Sequence, residues 1–317
     1  MSSNNTNGDT LKMDTVKSVF LLAGLLLLTV GTNGRRLHQP VEKEDDGSRT
    51  GRSTSGLPPS VLLRTPYNGS VDDRNDDTVY HYAVYDSYSK GTNHYGLMAT
   101  MDVYGFSLSR DQETAAAIWV GNQPSQDFIL VGWHVKPSLY GDSRTRFFTY
   151  WTKDGFLTTG CYNTACPGFQ LQADARAFPG DVIDPVSETN GRRQNITIKV
   201  YKEDQTGDWW VHYGFNSNPT AVGKFPKSLF TGLTDSTADF AFGGYTYNAI
   251  TQLTPPMGSG SSQTGSAASF SDLQYIEQDG TVSAVAGNLP SYVDNRSCYS
   301  VTPIVNGKFF YGGPGGC

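Results

Sequence analysis

DFILVGWHVKPSLYGDSRTRFFTYWTKDGFLTTGCYNTAC, residues 127–166, decides the fold. Phe128 to Val135 is an apolar, β-favouring run, and Pro137 with the Tyr140-Gly141-Asp142 corner stops it. A second aromatic run, Phe147 to Trp151, follows, and then a short loop bounded by Cys161 and Cys166. Short apolar runs closed by turn residues read as buried strands rather than helices. With a period of two, Phe128, Leu130 and His134 share one face, while Ile129, Val131, Trp133 and Val135 share the other. The second set makes a good core face.

Outward from this stretch the same pattern recurs. Val79 to Tyr85 and Tyr95 to Tyr104 alternate, and Ile118-Trp119-Val120 is a short strand. Asn195 to Lys202 is the clearest case, with Ile196, Ile198 and Val200 inward and Asn195, Thr197 and Lys199 toward solvent. Asp208 to Tyr213 pairs with it across a turn at Glu203 to Gly207. Leu253 to Ser269, rich in Gly, Ser and Pro, reads as a loop. Only Gln112 to Ala117 hints at a helical turn. Many short strands joined by Gly-rich turns predict an all-β chain, an antiparallel sandwich or barrel.

The chain has 317 residues, 35 of them glycine, with 18 tyrosines and 16 phenylalanines. That composition favours strands and turns and can fill a core. The net charge of −6, with no basic block, argues against a nucleic-acid partner. Four cysteines show no zinc spacing, and no metal or cofactor motif appears. In an exported chain they default to two disulfides, for which three pairings are open.

Export is expected. Lys12 and Lys17 precede an apolar core, Val19 to Val30, and small residues follow at Gly31, Thr32 and Gly34. Residues 1–34 therefore read as a signal peptide, too short in its apolar part for an ordinary spanning helix, so no stable membrane insertion is expected after its removal. Translation could start at Met1 or Met13. Residues 35–78 are polar and acidic, with too little apolar content for a core, and are expected to be disordered. Arg35-Arg36 offers a dibasic processing site. Residues 79–317 then form a single domain. Three sequons, at Asn68, Asn195 and Asn295, are candidate glycan sites.

Ordered motifs give the domain a family likeness. Gly132-Trp133-x-Val135-x-Pro137-x-Leu139-Tyr140-Gly141-Asp142 is followed by Arg146-x-Phe148-x-Tyr150-Trp151-Thr152-x-Asp154-Gly155. Thr159-Gly160-Cys161-Tyr162-Asn163 and Cys166-Pro167-Gly168-Phe169 come next. Asp208-Trp209-Trp210, Phe225 to Phe230, Gly243-Gly244, Met257 to Gly260, Cys298-Tyr299 and Phe310 to Gly315 continue the series. Together they resemble the neprosin family, plant secreted proteins whose founder is a prolyl endopeptidase of the glutamic class. The resemblance covers roughly residues 79–317. It implies a β-sandwich with a groove on its concave face, disulfides Cys161–Cys166 and Cys298–Cys317, and a substrate class of extended, proline-containing peptides. It also implies that an activation segment, folded in active relatives, is shortened here to residues 35–78.

A glutamic peptidase needs two carboxyl groups with split pKa values, one to activate water and one to donate a proton. In the family, one glutamate lies two residues before the Gly-Trp pair and the other follows the Gly-Gly pair. Those positions here are Leu130 and Tyr245. Neither is an acid, so no intact catalytic pair is expected. The resemblance makes the Phe128/Leu130/His134 face the groove face. Gly243, Tyr245 and Tyr247 share a face of their strand, so Leu130, His134, Tyr245 and Tyr247 would line the groove. The other acids considered, Asp86, Asp102, Asp127, Asp142, Glu188, Glu203, Asp208, Asp239 and Glu277, fall mostly in turns. Asp127 is nearest but on the opposite face by period. No nucleophile elbow is present, and oxidised cysteines supply no thiolate. The expectation is a secreted, catalytically impaired protein binding extended proline-containing peptides or extracellular proteins. The alternatives are an active endopeptidase with a rearranged acid pair, or an extracellular structural protein.

Overall fold

A computed structural model describes residues 78–87, 94–122, 124–234 and 238–317. The expected signal peptide, the acidic segment, Met13, Arg35-Arg36 and the Asn68 sequon lie outside the described residues.

Two antiparallel sheets form a sandwich. The first has seven strands: β1 (Thr78–Asp86), β3 (Gln112–Asn122), β4 (Asp127–Val135), β5 (Arg146–Thr152), β6 (Cys161–Tyr162), β11 (Asp239–Ala249) and β15 (Ser291–Val293). Their order is β15-β1-β11-β3-β4-β5-β6. The second, ten-stranded sheet is built on β2 (Gly96–Asp102), β8 (Asn195–Lys202), β9 (Trp209–Phe215), β10 (Thr220–Phe225), β13 (Ala268–Ile276) and β17 (Phe309–Gly313). The quoted stretch supplies β4, β5 and β6, with the one-turn helix α1 (Pro137–Tyr140) between the first two.

The faces fall as period two requires. Ile129, Val131 and Trp133 of β4 are buried in the main core with Ile196, Ile198 and Val200 of β8. Each such side chain removed from water contributes roughly 1.5–3 kcal/mol. The Trp133 indole donates to the Asp102 carbonyl at 2.9 Å, tying β4 to β2. Phe128 and Leu130 belong instead to a second buried cluster on the outer face of the seven-stranded sheet, with Trp119, Phe148, Tyr150, Phe156, Tyr162 and Tyr245.

The helical hint at Gln112 to Ala117 is overturned. These residues begin β3, which pairs with β11 on one side and β4 on the other. Ala and Glu are good helix formers, but a weak propensity yields to a strand position paired on both sides. Small residues suit this crossing: a Cβ on Gly132 would run into the Ala116 carbonyl. The loop expected from Leu253 to Ser269 is also not wholly irregular, since Met257–Gly258 pairs with β17.

Both disulfides match the pairing that the family resemblance implied, Cys161–Cys166 and Cys298–Cys317. Asp127 does point away from the Leu130 face. Its carboxylate accepts the amides of Thr231 (2.9 Å), Gly232 (2.5 Å) and Leu233 (3.0 Å). The Trp209 indole of β9 donates to the carbonyl of the same Leu233 at 3.1 Å.

Candidate functional site

The outer face of the seven-stranded sheet centres on Glu113, an acid absent from the sequence-based candidates. Glu113 is the second residue of β3 and is buried. Ala115 is its neighbour on that face, and Ala115 pairs with His134 on one side and Tyr245 on the other. A methyl between two rings leaves room for both to lean over Glu113. His134 Nδ1 lies 3.0 Å from Glu113 Oε1, the Tyr245 hydroxyl donates to the same oxygen at 2.9 Å, and Lys136 Nζ donates to Oε2 at 2.6 Å.

Burial opposes the charge on Glu113, but the Lys136 ammonium and the His134 hydrogen bond outweigh it and lower its pKa to about 2. Burial lowers the pKa of His134, with Glu113 pulling the other way, so the imidazole is neutral at pH 7. Proton positions follow from the partners. An ionised carboxylate only accepts, so Nδ1 carries the hydrogen and Nε2 is the acceptor. Tyr140 supplies the matching donor, its hydroxyl donating to Nε2 at 2.9 Å, and Asn163 Nδ2 donates to the Tyr140 hydroxyl at 3.0 Å. Burial and the Glu113 charge push Tyr245 well above 10, so it remains a donor and is no base.

Three further contacts hold the frame. His134 stacks on Phe148 at 4.1 Å between centroids, Lys136 lies over Tyr247 at 5.2 Å, and the Arg146 guanidinium lies 4.6 Å from the Tyr140 ring centre. Gly141 ends α1 with φ of 76° and donates its amide to the Pro137 carbonyl at 2.9 Å. A left-handed residue there turns the chain back immediately after Tyr140, and glycine takes that conformation without strain.

The groove candidates His134, Tyr245 and Tyr247 thus share a face, as expected, but two of them are not open lining. His134 and Tyr245 are 0% exposed, as is Leu130, and only Tyr247 is half-buried. Leu130 and Tyr245 also do not oppose each other. Leu130 pairs with Trp119 of β3, whereas Tyr245 pairs with Ala115. That is two strand spacings, about 10 Å, across the sheet and about 13 Å along it. What stands across from Tyr245 is His134. Among the described residues no metal-binding cluster of three or more His, Cys, Asp or Glu occurs.

The sequence profile named Neprosin matches residues 110–314. The chain belongs to the neprosin family. Solved structures similar to this neprosin-family chain include scytalido-glutamic peptidase with a peptide-based transition-state analogue, at 10% identity and TM-score 0.42, covering 75% of this chain and 98% of that one. SCP-B, an eqolisin-family peptidase in complex with the tripeptide Ala-Ile-His, is similar at 10% identity and TM-score 0.40, over 75% and 98% of the two chains.

Glu113 has a consequence for acid stability. A carboxyl whose folded pKa lies below its ordinary 4.5 stabilises the fold above that value, and the contribution is lost as pH falls toward about 2. The shift corresponds to about 3 kcal/mol. Denaturant midpoints measured between pH 5 and pH 2 should fall across that window. Asp142 and Asp154, also lowered to about 2, act in the same direction. A midpoint that holds constant to pH 2 would rule out an ionised Glu113.

Proposed function

We propose that this neprosin-domain protein is exported, has lost carboxyl-pair peptide hydrolysis, and binds extended, proline-containing peptides. One observation carries the reading. Every group bonded to Glu113 is a donor, namely His134, Lys136 and Tyr245, and no carboxyl is among them. A carboxylate held ionised by an ammonium cannot serve as the proton-donating member of an acid pair. The family's two glutamate positions, Leu130 and Tyr245, hold a hydrocarbon and a phenol, and a phenol of raised pKa is a poor base at neutral pH. Asp239 is pushed up to about 6 by burial, but it sits at the start of β11, opposite Gly121 and six residues from Tyr245.

Peptide binding is favoured by the half-buried tyrosines around the same face. Tyr80 and Tyr247 have ring centres 5.2 Å apart, and Tyr140 and Tyr292 are half-buried as well. Aromatic surfaces suit extended, proline-containing chains. Export is favoured by the apolar run from Val19 to Val30 and by the disulfides. Asn195 and Asn295 of the two described sequons are half-buried, and Ser297 donates its hydroxyl to the Asn295 side chain at 2.7 Å.

Incubating the purified protein with proline-rich peptides at acidic and neutral pH, followed by mass spectrometry, should give no cleavage. Titration with the same peptides should give a saturable change in tyrosine and tryptophan fluorescence, weakened by Tyr247→Ala. Turnover at ordinary peptidase rates would overturn the loss of chemistry. An unchanged signal at saturating peptide would leave a structural role in place of binding.

A further inference from the structure

The hydrogen bonds around His134 do not stop at the buried carboxylate. They run outward as a polar chain of fixed direction: Asn163 Nδ2–H to Tyr140 Oη, Tyr140 Oη–H to His134 Nε2, and His134 Nδ1–H to Glu113 Oε1. A hydroxyl within hydrogen-bond reach of a base, with that base oriented by a third group, is the arrangement that activates a nucleophile. The inner end is buried at Glu113 and His134, while Tyr140 is half-buried on α1.

We propose that Tyr140 is a nucleophilic hydroxyl that accepts an acyl group from esters with a good leaving group, with His134 as its base and Glu113 as the positioning residue. Tyr140 Oη attacks the carbonyl carbon, an Oη–C bond forms, and the bond from that carbon to the leaving oxygen breaks. The proton of Tyr140 passes to His134 Nε2 and from there to the departing oxygen. No oxidant or reductant enters. Water, giving its proton to the same imidazole, then attacks the acyl carbon; the bond from that carbon to Oη breaks, the acyl group leaves as a carboxylic acid, and His134 returns the proton to Tyr140.

Several features serve this role. Glu113 holds the ring so that Nε2 faces Tyr140, and it stabilises the imidazolium formed in transit. The Arg146 guanidinium over the Tyr140 ring and the Asn163 amide favour charge developing on the phenol oxygen. Burial works against a free phenolate and pushes Tyr140 up to about 12, so its proton must leave in concert with attack, to the adjacent base. The charged and titratable groups facing His134 are Glu113 on β3, Lys136 beyond β4, Arg146 on β5, Tyr140 on α1 and Tyr162 on β6. Burial, helped by the two cations and opposed by Glu113, keeps the imidazole neutral, which is the form that can act as base.

The test uses the intact protein and p-nitrophenyl acetate, with nitrophenolate release followed by absorbance and the acetyl group mapped by mass spectrometry. This goes beyond the peptide-binding reading, and peptide titration and acetyl mapping report independently. Acetylation at pH 7 should be at least about ten-fold faster at Tyr140 than at the other tyrosines. Its rate should be flat from pH 7 to 9, because His134 is already neutral there. Tyr140→Phe should abolish the nitrophenolate burst while leaving the far-ultraviolet circular dichroism unchanged. Acetyl groups spread over surface lysines and tyrosines without enrichment at Tyr140 would overturn the proposal. So would a Tyr140 rate that rises tenfold with each pH unit, the behaviour of a phenolate formed in solvent, or a burst that persists in Tyr140→Phe.

Discussion

Glu113→Ala is expected to lower the unfolding free energy by about 3–5 kcal/mol, the range for breaking a buried ion pair by removing one partner. The substitution strands three groups at once. Lys136 is buried and loses its carboxylate at 2.6 Å, the His134 Nδ1–H loses its acceptor, and the Tyr245 hydroxyl loses its own. Burying an uncompensated ammonium is the most costly of these. In a domain of this size the loss corresponds to a melting temperature lower by about 10 °C. Urea unfolding of the two proteins side by side measures it. A difference under about 1 kcal/mol would mean that water already reaches Lys136 and that the cluster is not closed.

The second large effect is expected from Leu130→Glu combined with Tyr245→Glu, which returns carboxyls to both family positions. The double variant should remain silent toward proline-rich peptides and should be less stable than the parent by more than about 3 kcal/mol. Leu130 is fully buried in an apolar cluster with Trp119, Phe128 and Tyr150, where a carboxylate would lose its water and meet mostly hydrocarbon. At position 245 a carboxylate would approach Glu113, which already accepts from Lys136. The register separates the two positions by four residues along β3, so the new acids would not share a proton. Recovered cleavage, seen as new peptide fragments by mass spectrometry, would show that the acids meet across the sheet after all.

Much of the architecture is legible along the chain. Phe128 to Val135 is an apolar run stopped by turn residues, as a strand buried on both faces requires, and the alternating Asn195 to Lys202 strand is equally open to reading. The site was only half visible. His134 and Tyr245 could be placed on the right face because each lies in an unambiguous strand. Glu113 was hidden because Gln-Glu-Thr-Ala-Ala-Ala carries local preferences for a helix, while its strand state is set by β4 and β11 on either side. One signal was available: Glu113, Ala115, Ala117 and Trp119 are spaced by two and run straight into Ile118-Trp119-Val120. The ring of donors around Glu113 was not legible at all. It depends on residues 21 to 132 positions distant, brought together only by strand pairing.

The Asp127 carboxylate grips three successive amides of the 231–233 turn, and the Trp209 indole grips the carbonyl at the end of that turn. One anion therefore acts as a rivet through both layers of the sandwich. Shear between the layers would have to break these bonds together, so this corner should be among the last parts of the protein to exchange its amide hydrogens with solvent.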